Sequence, residues 1–230
     1  MIAFAYLGIC FVPLLLISVI LLICVKELTV GKTLIAIVAG LISIIPITVI
    51  QHFVLNLPIF TSKTLVSVFV SAFIFNGLIE ETLKMLFLFL LPGKKTSAGV
   101  FMAASIIAGL AIGSFETIIY MIAGTGQITV RFFTAMLIHT FCSGLSGLYV
   151  WSFKQKRAYV LPYISAVLLH GLYNFFAGFS GGFRVFAIIT VVYAAIRLKF
   201  SYSHLTSKQI ESNIPTDTTQ GRAAGSSSGS

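Results

Sequence analysis

Glu80, Glu81, Lys84, Glu116, His139, His170 and Asn174 all stand inside long apolar runs of this sequence. Their residue types are those of amide hydrolysis. Neutral imidazole and carboxylate are suitable ligands for zinc or a similar divalent metal, and catalytic zinc sites use three protein ligands plus water. A carboxylate beside that water acts as general base. Without a metal, a carboxylate in an apolar cavity beside a like-charged neighbour still activates water. An asparagine amide or an imidazole then serves as oxyanion donor. The residue types leave both routes open.

Spacing groups these residues. Glu80 and Glu81 precede Lys84 by four and three positions, so on a helix the lysine reaches either carboxylate. His170 and Asn174 are likewise four apart and share one helix face. The plainer readings are an ion-pair cluster that locks helix packing for Glu80, Glu81 and Lys84, and interhelical hydrogen bonds for the histidines and the asparagine. Gly109 and Gly113 form a small-xxx-small pair, the mark of close helix packing.

The elements that carry these residues follow from composition. The chain has 230 residues, 58% of them hydrophobic and only 9% charged, with a mean hydropathy of +1.04. A soluble domain has about 25% charged residues, so a cytosolic enzyme, a disordered chain and a nucleic-acid reader are excluded and the lipid bilayer becomes the first partner. A bilayer core takes about 20 apolar residues of helix. This rule predicts about seven spans, at 3–25, 33–54, 65–91, 98–122, 129–152, 158–179 and 183–199. The fold class is therefore all-α, a polytopic transmembrane helical bundle. Met1 to Tyr6 carries no basic stretch, so the first span reads as a retained helix. Cys10, Cys24 and Cys142 read as small buried hydrophobes.

The formal charge of +9 is mainly a matter of topology. Alternate loops and the C-terminal tail hold Lys26, Lys32, Lys94, Lys95, Lys154, Lys156, Arg157, Arg197, Lys199 and Lys208, against Lys63, Arg131 and Arg184 on the other side. The positive-inside rule then puts the N-terminus outside and the C-terminus in the cytoplasm. Arg131, Tyr149 and Trp151 lie near span ends and read as interface anchors.

An ionisable group at mid-bilayer costs at least about 2.5–3.5 kcal/mol. The six ionisable groups among those named at the outset must therefore face one another inside the bundle. Counted along the proposed spans at 1.5 Å per residue, their depths fall within about 15 Å, in the middle to outer half of the membrane.

The order and spacing of four polar motifs carry a resemblance. These are Glu80-Glu81-Thr82-Leu83-Lys84, Gly113-Ser114-Phe115-Glu116, His139 with Gly147, and His170-Gly171-Leu172-Tyr173-Asn174-Phe175. Over residues 1–200 the chain resembles the PrsW family of bacterial intramembrane proteases, relatives of the type II CAAX prenyl endopeptidases. The resemblance implies that Glu80 or Glu81 activates the attacking water and that Lys84 balances the charge of that motif. It further implies that Glu116, His139 and His170 are metal ligands or water-holding groups. Relatives in the wider superfamily place a histidine at the position of Glu116, and some members have aspartate at position 174, where the uncharged amide of Asn174 favours an oxyanion donor. The resemblance also implies a bacterial cell membrane and membrane-anchored protein substrates, notably anti-sigma factors cut on the outer side.

On this reading 1–200 is the integral membrane protease domain and 201–220 a polar cytoplasmic tail. Residues 221–230 read as a linker or expression scar. A proton- or ion-coupled transporter is the alternative reading, since it would also bury glutamates and histidines; transporters often show internal repeats and paired broken helices, and neither is visible in the sequence. His139 and His170 could ligate a haem iron. A retinal protein needs a Schiff-base lysine in the last helix, where Lys199 lies at the cytoplasmic end.

Overall fold

The protein was described from a computed structural model. It describes residues 2–55, 57, 64–122, 128–179 and 181–213, apart from the side chains of 2–7, 55, 120–122, 128–132 and 208–213. Within the described residues every regular element is helical. A chain surrounded by hydrocarbon must satisfy each backbone N–H and C=O internally, which a helix does within one segment.

The elements in order are α1 (Ile2–Cys24), α2 (Val30–Leu55), α3 (Leu65–Val70), a π-helical segment (Ser71–Ile79), α4 (Glu80–Leu88), α5 (Ala98–Ile122), α6 (Ile128–Lys154), α7 (Leu161–Ala177), a 3-10 turn (Gly181–Phe183) and α8 (Arg184–Asn213). Each apolar stretch found in the sequence falls on helix. Five described stretches are long and apolar enough to cross a membrane: Val30–Val54, Leu65–Leu88, Ala98–Ile119, Phe133–Lys154 and Gly181–Ser207. Gly8–Cys24 and Leu161–Ala177 are shorter apolar helices. The protein is thus an all-helical, multi-pass membrane protein. Most of the connection between the spans predicted at 33–54 and 65–91, and of that between 98–122 and 129–152, lies outside the described residues. The last helix runs on past residue 200 to Asn213.

Helices α5 and α6 form the centre, and α1, α2 and α8 turn broad apolar faces outward, with Leu15, Ile23, Phe53, Val185 and Phe200 among the exposed side chains. Small residues set the central spacing. A Cβ on Gly113 would come 2.7 Å from Met136 Cα, and one on Gly109 would strike the His139 carbonyl and Ser143. The small-xxx-small pair therefore brings the α6 backbone against α5, as its pattern predicts. Gly77 and Gly171 play the same part between the π segment and α7, where a Cβ on Gly77 would lie 2.8 Å from the Val167 carbonyl oxygen.

At the far end of α4, Lys154 donates to the carbonyls of Phe89 (2.7 Å) and Leu91. A cation at exposed carbonyls completes the negative end of a helix. Trp151 Nε1 donates to the Thr96 carbonyl (2.9 Å) and Gln155 Nε2 to that of Gly93 (3.0 Å). Trp151 is buried. Its indole clamps the 89–97 loop and does not anchor the chain at an interface. The Arg131 side chain lies outside the described residues. Cys10 and Cys142 are buried as expected, whereas Cys24 is exposed.

Candidate active site

Four helices converge on one buried polar cluster. The π segment ends at Ile79, where the Glu80 N–H reaches back to the carbonyls of Phe75 and Gly77, and α4 begins with the two glutamates. Such π-helical insertions are frequent at functional sites. Glu80, Glu81 and Lys84, all on α4, are buried. Glu116 comes from α5, His139 from α6 and His170 from α7. Both histidines are buried, and their rings meet edge to face with centroids 4.9 Å apart. Rings in contact leave no room for a porphyrin between them, so a shared haem does not fit.

Lys84 is the hub. Its Nζ lies 2.7 Å from Glu80 Oε1, 2.9 Å from Glu81 Oε1 and 2.6 Å from His139 Nδ1. An ammonium only donates, so its three N–H groups are used and His139 Nδ1 accepts. The proton of a neutral His139 then sits on Nε2, which is hydrogen-bonded to Glu116. His170 Nδ1 lies 2.8 Å from Glu81 Oε1. An ionised carboxylate only accepts, so Nδ1 carries the proton of His170 and Nε2 carries the lone pair.

Each imidazole therefore has one nitrogen held by a carboxylate, Glu116 for His139 and Glu81 for His170. The other nitrogen faces Glu80 Oε1, at 3.4 Å from His139 Nδ1 and 3.9 Å from His170 Nε2. The two glutamates of the pair are not equivalent. Glu81 is fully enclosed and accepts from Lys84, His170 and Ser146 Oγ (3.2 Å). Glu80 turns one oxygen to the histidines and the other to Gln51 Nε2 (3.1 Å).

One donor atom each from Glu80, His139 and His170 lies within 4.8 Å of the others. Two imidazoles and a carboxylate are the ligand chemistry of catalytic zinc, and a second carboxylate behind a ligating histidine is the usual outer shell. Three carboxylates against one ammonium leave two negative charges in the cluster with neutral imidazoles, which a divalent ion would balance. The residues present thus fit a divalent metal. Lys84 Nζ contacts two of the three donor residues and would have to move aside for it.

Of the residues singled out in the sequence, Glu80, Glu81, Lys84, Glu116, His139 and His170 meet in this cluster. Glu116 stands behind His139 and not beside the metal-capable donors, and its side chain is 26% exposed, giving the cluster its more open edge. Asn174 is half-buried one turn beyond His170, and its Nδ2 donates to the His170 carbonyl (3.3 Å). His52 packs edge-on against Phe53, and His204 stacks on Tyr159. Sequence reasoning missed Gln51, Asn76 and Ser146. Their signal is an uncharged polar side chain in an apolar run, the signal that singled out Asn174.

A multi-pass helical bundle enclosing a Glu/His/His group defines the class, a membrane-embedded protein with a buried, metal-capable polar site. The family description "PrsW family intramembrane metalloprotease" matches residues 29–198, and the chain belongs to that family. The comparison with curated proteins found no match, and neither did the comparison with solved structures.

Proposed function

We propose that the protein is an endopeptidase that cuts membrane-tethered regulatory proteins, anti-sigma-factor-like in kind, with a water activated by Glu80. The observation that carries this reading is that Glu80 Oε1 faces both imidazoles, each held at its other nitrogen by a different carboxylate. Glu80 Oε1 takes a proton from water as the water oxygen attacks the peptide carbonyl carbon. The same proton passes to the leaving amide nitrogen as the C–N bond breaks. Glu81 and Glu116 fix the tautomers of His170 and His139, and Lys84 holds the charge of the glutamate pair. The oxyanion donor in this scheme is Asn174, once its amide turns from the His170 carbonyl, or a histidine.

A divalent metal such as zinc would be held by Glu80, His139 and His170, with Glu116 behind His139; Glu80 would then serve as a ligand in place of its role as base. When bound, the metal would supply Lewis acidity and lower the pKa of water at the site. Elemental analysis of active protein, with and without chelator, separates the metal-bound version from the metal-free one.

The chain would cross a bacterial cell membrane seven times, with its N-terminus outside and its C-terminus in the cytoplasm, as the basic loops suggest. Residues 1–200 would be the catalytic domain. The functional test is cleavage in proteoliposomes of single-span substrates carrying a fluorophore and a quencher on either side of a juxtamembrane segment. Wild type should cleave and E80Q should not; equal cleavage by both would overturn the assignment of Glu80.

A further inference from the structure

Glu80 has a partner on a helix that carries none of the clustered acid, base or cation groups. Gln51 of α2 is half-buried amid Ile, Val and Phe neighbours in sequence. An amide in an apolar span requires a partner for each N–H. Its Nε2 lies 3.1 Å from Glu80 Oε2 and 3.2 Å from Asn76 Oδ1. Both acceptors belong to one helix face, four residues apart across the junction of the π segment and α4. Because an ionised carboxylate has no proton to give, its presence fixes which end of the Gln51 amide points toward it.

The consequence for Glu80 is orientational. A carboxylate rotates about its last bond through a broad, roughly two-fold well, and here its two oxygens have different neighbours. Oε2 is taken by Gln51, so Oε1 is the oxygen left to Lys84 and the two imidazoles. We infer that Gln51, braced by Asn76, is a positioning residue that holds Glu80 with Oε1 turned toward His139 and His170. This inference rests on the reading above in which Glu80 is the reacting carboxylate. Gln51 touches neither water nor substrate in this scheme and acts through Glu80 alone.

The test uses the full-length protein in proteoliposomes with the fluorophore–quencher single-span substrate. Q51M keeps the length of the side chain and removes both donors. Its kcat should fall about 10- to 100-fold, the range for loss of a partner behind a functional group, with KM unchanged, because bound substrate is not touched. N76L should give a smaller fall, and Q51M/N76L should be no worse than Q51M, since the two act through one hydrogen-bonded unit. Thermal unfolding in detergent serves as the folding control. If Q51M does not fold, Q51L removes the same two donors with a different apolar side chain, and the same loss of kcat is expected. A kcat within two-fold of wild type in the folded variant, or a rise in KM alone, overturns the role of Gln51. The two failures are separable. Full activity in E80Q removes the reading of Glu80 itself, whereas an inactive E80Q with a fully active Q51M removes only the positioning role.

Discussion

Glu81 Oε1 lies 2.8 Å from His170 Nδ1 and 2.9 Å from Lys84 Nζ, so one buried oxygen fixes both the tautomer of the histidine and the place of the ammonium. In the proposed mechanism Glu81 orients and Glu80 reacts, so the two glutamates should respond differently to substitution.

Removing the reacting carboxylate removes general-base catalysis, which contributes about 10²- to 10⁴-fold. E80Q should lose at least that much in kcat, and because it removes one of the two carboxylates paired with Lys84 its unfolding temperature should fall, though by less than in K84M. Initial rates of substrate cleavage alongside detergent melting curves measure both effects.

E81Q and H170A are expected to abolish cleavage as well, by a different route. The amide of E81Q cannot hold the proton on His170 Nδ1 as a carboxylate does, so the imidazole is free to present its other tautomer. Nitrogen-15 chemical shifts of labelled histidine should show the His170 tautomer disturbed in E81Q and intact in E80Q. Near wild-type cleavage by either E81Q or H170A would overturn the role assigned to that residue.

Lys84 is the clearest stability determinant. K84M leaves Glu80 and Glu81 enclosed without their shared cation. Breaking a buried ion pair from one side costs about 3–5 kcal/mol. Chemical unfolding in mixed micelles should register that loss, and K84R should recover part of it.

A divalent ion, where it binds the folded state alone, stabilises by mass action, about 2.7 kcal/mol at one hundred times its dissociation constant. Added zinc or cobalt should raise the unfolding temperature of wild type but not of H139A or H170A. No rise in wild type would leave the metal-free version of the mechanism.

Gly109 tests the scaffold. A methyl there would strike the carbonyl of His139 itself, so G109A should displace a site residue as well as separate α5 from α6. Overpacking of this kind costs about 1–3 kcal/mol, and cleavage should fall along with the melting temperature.

The helices and most of the cluster were legible in the sequence for one physical reason: in an apolar chain, any charge inside a span requires a partner. Glu80, Glu81, Lys84, Glu116, His139 and His170 stand out on that ground alone. Gln51 and Asn76 did not, because an uncharged amide is a weaker anomaly and its meaning depends on a neighbour 25 residues away. The π segment left no mark, since an i→i+5 hydrogen bond changes neither composition nor hydropathy. Trp151 was misplaced because a position near a span end says nothing about which way the indole turns.

The Glu80–Glu81–Lys84 triad has a bearing on biogenesis. During synthesis, the segment holding these three groups leaves the ribosome well before His139 and His170 exist to receive it. Because Lys84 pairs with both glutamates within its own helix, much of that charge is neutralised locally before any other helix arrives. The nascent segment can wait in the translocon as a nearly self-contained unit, and the later helices have only to dock against it.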